Sequence, residues 1–146
     1  DADTSPIPVK MVFEAVGPGS FRAEDWGIYG LDQSPEAAAT LFGVMSGQTL
    51  SPEDITSGAY LEAVKPISAD RWVTKDTVPS VLCYGAHDKV QPFEASKTLV
   101  AALEANGVDY QYFVAEHSGH GLQNDNKIYM EYLDTVVEYL DKYMSE

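Results

Sequence analysis

The chain has 146 residues, of which 45% are hydrophobic and 22% charged, values that fit one globular domain and exclude a disordered tract or a fibrous repeat. Twenty-three acidic residues against nine basic ones give a formal charge of -14, which opposes binding to nucleic acid or to an anionic lipid surface. No stretch approaches the roughly 18 apolar residues that a membrane span needs. The opening "DADTSPIP" carries neither the basic nor the apolar part of a signal peptide, so a soluble chain, with the cytoplasm favoured, is expected.

Residues 8–16, within "IPVKMVFEAV", are rich in β-formers and stop at the turn "GPGS", which predicts a buried strand. "SPEAAATLFGVMSG" (34–47) predicts a short helix, with Ser34 as N-cap, Pro35 in the first turn and a glycine stop. "SPEDITSGAYLEAVKP" (51–66) repeats the device, with Ser51 and Asp54 spaced as a capping box and Pro66 as terminator. "VPSVLCYG" (78–85) is an unbroken apolar run between proline and glycine, the pattern of a central parallel strand covered on both faces. Its Cys83 is the lone cysteine of the chain, which rules out an intrachain disulfide and reads as core packing.

"PFEASKTLVAALEANG" (92–107) predicts a helix with Leu99 and Leu103 on one face and an Asn-Gly stop. "DYQYFVAE" (109–116) predicts a third strand. A last helix is expected from about Lys127 to Met144, with Leu133, Val136, Val137, Leu140 and Met144 as the stripe that packs on the sheet. Residues 78–144 thus alternate strand, helix, strand, helix, which implies a parallel pair with a right-handed crossover and an α/β fold.

Parallel sheets collect reactive groups in the loops beyond the carboxyl ends of their strands. Two loops here are polar in that way: "GAHDKVQP" (85–92) and "HSGHGLQND" (117–125). Neighbouring strands would let Asp88 and His120 meet across 32 residues. A carboxylate that accepts the proton of one imidazole nitrogen fixes the tautomer and stabilises the imidazolium, which is the device of a general base. Glycines on both sides of His120 leave room for such a ring. The residues alone leave three readings open: an acid–base pair, a structural loop, or a metal site built from His87, Asp88, His117 and His120. Each of His87 and His117 also has a plain reading as a loop or strand-end residue.

"GAHDKVQP" followed about thirty residues later by "SGHG" resembles the C-terminal portion of an α/β-hydrolase, in particular the bacterial esterase/lipase and prolyl-peptidase-like branch with its G-x-x-D-x-x-V-P loop and G-H-G turn. The likeness is strongest over residues 60–144, and "SPIPVKMVFEAVGP" extends it toward the start of the chain. The resemblance implies a three-stranded, mostly parallel sheet flanked by helices, forming the C-terminal half of the fold. It implies one domain over 1–146, in which 17–77 are cap-like or linker helices and 78–146 carry the acid and the histidine. By resemblance Asp88 is the triad acid and His120 the triad base, with no cofactor and no metal. The loop departs from the family in reading Val90-Gln91-Pro92, an insertion not expected to move the acid.

The family's G-x-S-x-G elbow, which carries the nucleophile, does not occur in these 146 residues, nor does an H-G-G run for the oxyanion hole. Ser20 in "GPGSF" lacks the second glycine and a following helix. The chain is therefore expected to be the acid-and-base part of a serine hydrolase acting on small esters or peptides, and inactive by itself. The rival expectation is a non-catalytic binding module on the same frame. Trp26, Tyr29, Tyr60 and Trp72 are candidates to line a pocket, with covering of the sheet as the alternative. A homo-oligomer through the free edge of strand 8–16, or through uncovered apolar surface, is also expected.

Overall fold

Residues 8–144 are described by a computed structural model, in which three strands, Val12–Ala15 (β1), Ser80–Gly85 (β2) and Tyr110–Ala115 (β3), form one sheet. The order is β1-β2-β3 and both pairings are parallel, with Ser80 opposite Val12 on one side and Tyr110 on the other. The fold is α/β, a three-stranded parallel sheet flanked by helices. Among the described residues its α-helices are Pro35–Ser46 (α1), Pro52–Ser57 (α2), Tyr60–Val64 (α3), Phe93–Ala105 (α4) and Asn126–Met144 (α5).

Every residue of β2 is buried, as the apolar run predicts, because the strand is covered on both faces. Alternation sends Leu82 and Tyr84 toward α4, where they pack with Leu99, Leu103 and Val108. Val81 and Cys83 point the other way and join Ala115, Tyr132, Val136 and Tyr139 of the α5 layer. Burying one such side chain contributes about 1.5–3 kcal/mol, so β2 is the strand on which both layers depend. Burial also pushes the Cys83 thiol up to about 11, the behaviour of a packing residue and not of a nucleophile.

Three expectations are corrected. The first strand is shorter than 8–16, and it is not buried: Val12 and Phe13 are exposed, because β1 is the edge of the sheet and pairs only with β2. Residues 5–7 of the resembling stretch lie outside the described residues. The segment 51–66 is two helices, since Gly58 takes the left-handed conformation (φ 80°) and stops α2, which the expected Ser51–Asp54 capping box opens. The buried face of α5 is Tyr132, Val136 and Tyr139, whereas Leu133, Val137, Leu140 and Met144 face outward. Helix α5 has two apolar stripes, and the tyrosine stripe is the one against the sheet.

The segment between β1 and β2 builds its own small core. Phe21, Trp26, Leu31, Ala38, Phe42, Tyr60 and Val64 pack together, with the Phe21–Trp26 and Phe42–Tyr60 rings stacked at 5.4 and 5.6 Å. Trp26 and Tyr60 are therefore core residues. Trp72 is exposed; its indole N–H donates to the Lys65 carbonyl at 2.7 Å and the Lys65 ammonium lies over its ring. Helix α5 is tied to the start of β3 by Asp109, which accepts from Tyr139 Oη, Lys142 Nζ and Tyr143 Oη. Those donors hold the Asp109 carboxyl down at about 2. Among the described residues no helix is long and apolar enough to cross a membrane.

Candidate active site

Strand β2 ends at Gly85, and the next turn carries Asp88 at the carboxyl end of the sheet. The turn closes through Asp88 N–H donating to the Gly85 carbonyl at 3.2 Å. The Asp88 carboxylate is buried, with one oxygen, Oδ1, accepting from the backbone N–H groups of Val90 (2.7 Å) and Gln91 (3.0 Å). The residue that departs from the family pattern, Gln91, thus supplies one of the two amides that aim the carboxylate. Its other oxygen, Oδ2, meets His120 Nδ1 at 2.9 Å.

That contact assigns the imidazole tautomer. An ionised carboxylate only accepts, so Nδ1 must carry the proton, and in the neutral ring Nε2 is left with a free lone pair. The His120 side chain is 43% exposed while Asp88 has none of its side chain exposed. A buried, doubly hydrogen-bonded acid therefore holds a partly open ring whose free nitrogen can take a proton from a bound group. Asp88 and His120 are brought together as expected from the sequence.

The two loops meet because Gly85 has no side chain. A Cβ there would lie 2.3 Å from the Gly119 carbonyl oxygen and 2.6 Å from that of Ser118. With that space open, His87 N–H donates to the Ser118 carbonyl at 3.0 Å and the histidine loop rests directly on the end of β2. This close approach, two residues before His120, is what sets the ring beside Asp88.

His117 does not join them. Its Nδ1 lies 2.9 Å from Asp125 Oδ1, and its backbone N–H donates to Asp125 Oδ2 at 2.9 Å. The neighbouring Ser118 hydroxyl donates to the same Oδ2 at 2.5 Å. Serine, histidine and aspartate are close here, but the hydroxyl points at the carboxylate and not at the imidazole, so the cluster is no proton relay. Asp125 raises the His117 imidazole above its ordinary value, chiefly through their hydrogen bond, and the Ser118 hydroxyl, then His117, hold Asp125 below its own. The four residues named for a metal thus divide: Asp88 is engaged with His120 and His117 with Asp125, while His87 contributes its backbone N–H to the Ser118 carbonyl. Among the described residues no three His, Cys, Asp or Glu side chains converge as a metal site.

A cleft of about 350 Å³ opens beside the ring, lined by Ala15, Val16, His120, Gly121, Leu122, Gln123, Asn126 and Tyr129. Two of its walls are non-glycine residues in the left-handed region, Val16 (φ 55°) at the end of β1 and Leu122 (φ 52°) after the histidine. Such conformations cost of order 1–3 kcal/mol each and persist only where the surroundings impose them. On the other side of the acid loop, the Tyr29 hydroxyl donates to the Lys89 carbonyl, so one of the four aromatic candidates does reach the site. Sequence reasoning missed Gly85 as a spacer and missed Ser118 and Asp125 altogether. The glycine was legible as the end of an apolar run, but Asp125, standing just before a helix, carries the ordinary signal of a cap.

The model of the prolyl oligopeptidase family matches residues 35–146. Among solved structures, a truncated carbohydrate esterase from gut microbiota superposes with a TM-score of 0.61 at 18% identity, covering 95% of this chain and 44% of its own. An esterase of the Planctomycetes species Thermogutta terrifontis gives a TM-score of 0.63 at 16% identity, over 92% of this chain and 42% of its own. The acetyl ester-xyloside bifunctional hydrolase of Caldicellulosiruptor lactoaceticus gives 0.57 at 17% identity, over 94% and 43%. At such identities the likeness speaks for the fold, and the chain spans less than half the length of each of these proteins. No curated protein matches the sequence.

Proposed function

Because the chain belongs to the prolyl oligopeptidase family, we propose that it supplies the acid and the base of a serine hydrolase that cleaves small esters, with Asp88 as acid and His120 as base. The observation that carries this reading is the 2.9 Å contact of His120 Nδ1 with a buried carboxylate whose other oxygen is already fixed by two amides. His120 Nε2 takes the proton of an attacking serine hydroxyl and later returns it to the leaving alcohol. Asp88 keeps the ring in the tautomer that allows this and offsets the charge of the imidazolium. Esters are favoured over peptides by the esterase and acetyl ester hydrolase relatives that share the fold.

The attacking serine belongs, in this reading, to polypeptide outside these 146 residues, since no G-x-S-x-G elbow occurs within them. The cleft between the end of β1 and His120 is where it would enter. The same lack favours the second reading, a binding module that retains the hydrolase frame without its chemistry. Two measurements separate them. The chain alone should show neither turnover nor a burst with p-nitrophenyl acetate, and a stoichiometric burst would overturn the placement of the nucleophile. Coding DNA upstream of residue 1 should contain an in-frame G-x-S-x-G; a natural start at or near Asp1 would favour the binding module.

A further inference from the structure

The residues between β3 and α5 must present His120 to Asp88 while crossing an open part of the surface, and the side chains that fix this loop come from its own far end. Asp125 stands directly before α5, and its carbonyl already accepts the N–H of Tyr129 at 3.0 Å, the first hydrogen bond of the helix. An aspartate in that position ordinarily turns its carboxylate to the amides of the first turn. Here both oxygens are engaged by the loop: Oδ2 by His117 N–H at 2.9 Å and Ser118 Oγ at 2.5 Å, Oδ1 by His117 Nδ1 at 2.9 Å.

Ser118 is the junction of this arrangement. It is fully buried; its hydroxyl donates to Asp125 and accepts from Asn124 N–H at 3.0 Å, and its carbonyl accepts from His87 N–H of the acid loop at 3.0 Å. Asn124 adds a donor to the His117 carbonyl at 2.8 Å. The segment 117–119 is therefore held on one side by Asp125, which is anchored to α5, and on the other by the end of β2, where Gly85 admits it. Only one residue, Gly119, separates Ser118 from His120.

We propose that Asp125 is a positioning residue for His120, acting through Ser118 to lock the histidine loop onto the acid loop so that the imidazole meets Asp88. This rests on the acid–base reading of Asp88 and His120 given above and extends it to a residue that touches neither the ring nor a substrate. The exposed imidazole of His117 is a lesser part of the lock, since the backbone and hydroxyl bonds to Oδ2 do not need it. Asp125→Ala removes both acceptor oxygens and with them all three contacts, which opens the lock; Asp125→Asn would not, because one amide oxygen in the place of Oδ2 accepts from both the His117 N–H and the Ser118 hydroxyl.

The test is the downfield proton NMR signal of the His120 Nδ1–H held by Asp88, read in the 146-residue chain and requiring no activity. Asp88→Asn must abolish the signal, which assigns it. Asp125→Ala and Ser118→Ala are expected to lose it as well, with amide dispersion of the sheet retained, while His117→Gln keeps it. Persistence of the signal in Asp125→Ala would overturn the positioning role and leave the acid–base pair standing. Lack of any Asp88-dependent signal in the unsubstituted chain would overturn both. Should Asp125→Ala fail to fold, Ser118→Ala decides, because it leaves Asp125 and its contacts with His117 in place.

Discussion

Three residues apart in one loop, His117 and His120 each meet a carboxylate through Nδ1 at 2.9 Å, and only their surroundings tell them apart. The Asp88 carboxylate is wholly buried, aimed by two amides, and its imidazole opens on a cleft. The Asp125 carboxylate is shared among a backbone N–H, a hydroxyl and an imidazole that is 77% exposed. The first arrangement leaves one nitrogen free and fixed in direction; the second uses the histidine as one donor among several. A His–Asp distance by itself therefore assigns no role. What assigns it is which oxygens are already satisfied and whether the far nitrogen faces a space where something can bind.

The largest expected effect is on hydrolysis by a longer polypeptide that carries the proposed serine. Asp88→Asn there should lower kcat on p-nitrophenyl acetate on the order of 10³–10⁴-fold, since the ring loses its tautomer, while His117→Gln stays near the parent value. Equal losses from the two substitutions would erase the distinction. A smaller effect is expected at the spacer. Gly85→Ala places a methyl 2.3 Å from the Gly119 carbonyl and should cost about 1–3 kcal/mol in chemical denaturation, with the Asp88-dependent His120 signal lost. Full stability with the signal intact would show that the loops are not held by this approach.

The smallest effect concerns His117 and sharpens the comparison through pH. Its imidazole is raised above its ordinary value by Asp125, so its pairing stabilises the folded chain below the unfolded value of about 6.5 and that contribution is lost as pH rises through the higher folded value. His117→Gln should therefore lower Tm slightly at pH 5 and leave it unchanged at pH 9. A Tm difference that grows toward alkaline pH would contradict the assignment.

Much of this was legible in the sequence, for reasons that differ by element. β2 declared itself because burial on both faces demands an unbroken apolar run, and the Asp88–His120 meeting followed from two polar loops after neighbouring parallel strands. Helix α5 was found, but the wrong face was chosen: aliphatic residues were ranked above tyrosines, although Tyr132 and Tyr139 bring large apolar rings with a hydroxyl that can end at water or, for Tyr139, at Asp109. The aromatic residues of 17–77 could not be placed, because Phe21, Trp26, Phe42 and Tyr60 form a core with one another across 39 residues and no short-range period announces it. β1 was expected to present a free edge, yet its apolar run looked buried because composition does not reveal whether the faces of a strand are covered. Asp125 was invisible because a carboxylate before a helix has the same spelling whether it caps the helix or holds a loop.

His120, directed by Asp88, is proposed as the base of a serine hydrolase whose serine lies outside these residues. The most direct test of this role is pre-steady-state hydrolysis of p-nitrophenyl acetate by the polypeptide extended through its upstream codons, with and without His120→Ala. A burst of about one equivalent of nitrophenolate is expected, and it should disappear on the burst timescale in His120→Ala. A burst of unchanged rate in His120→Ala would contradict the role.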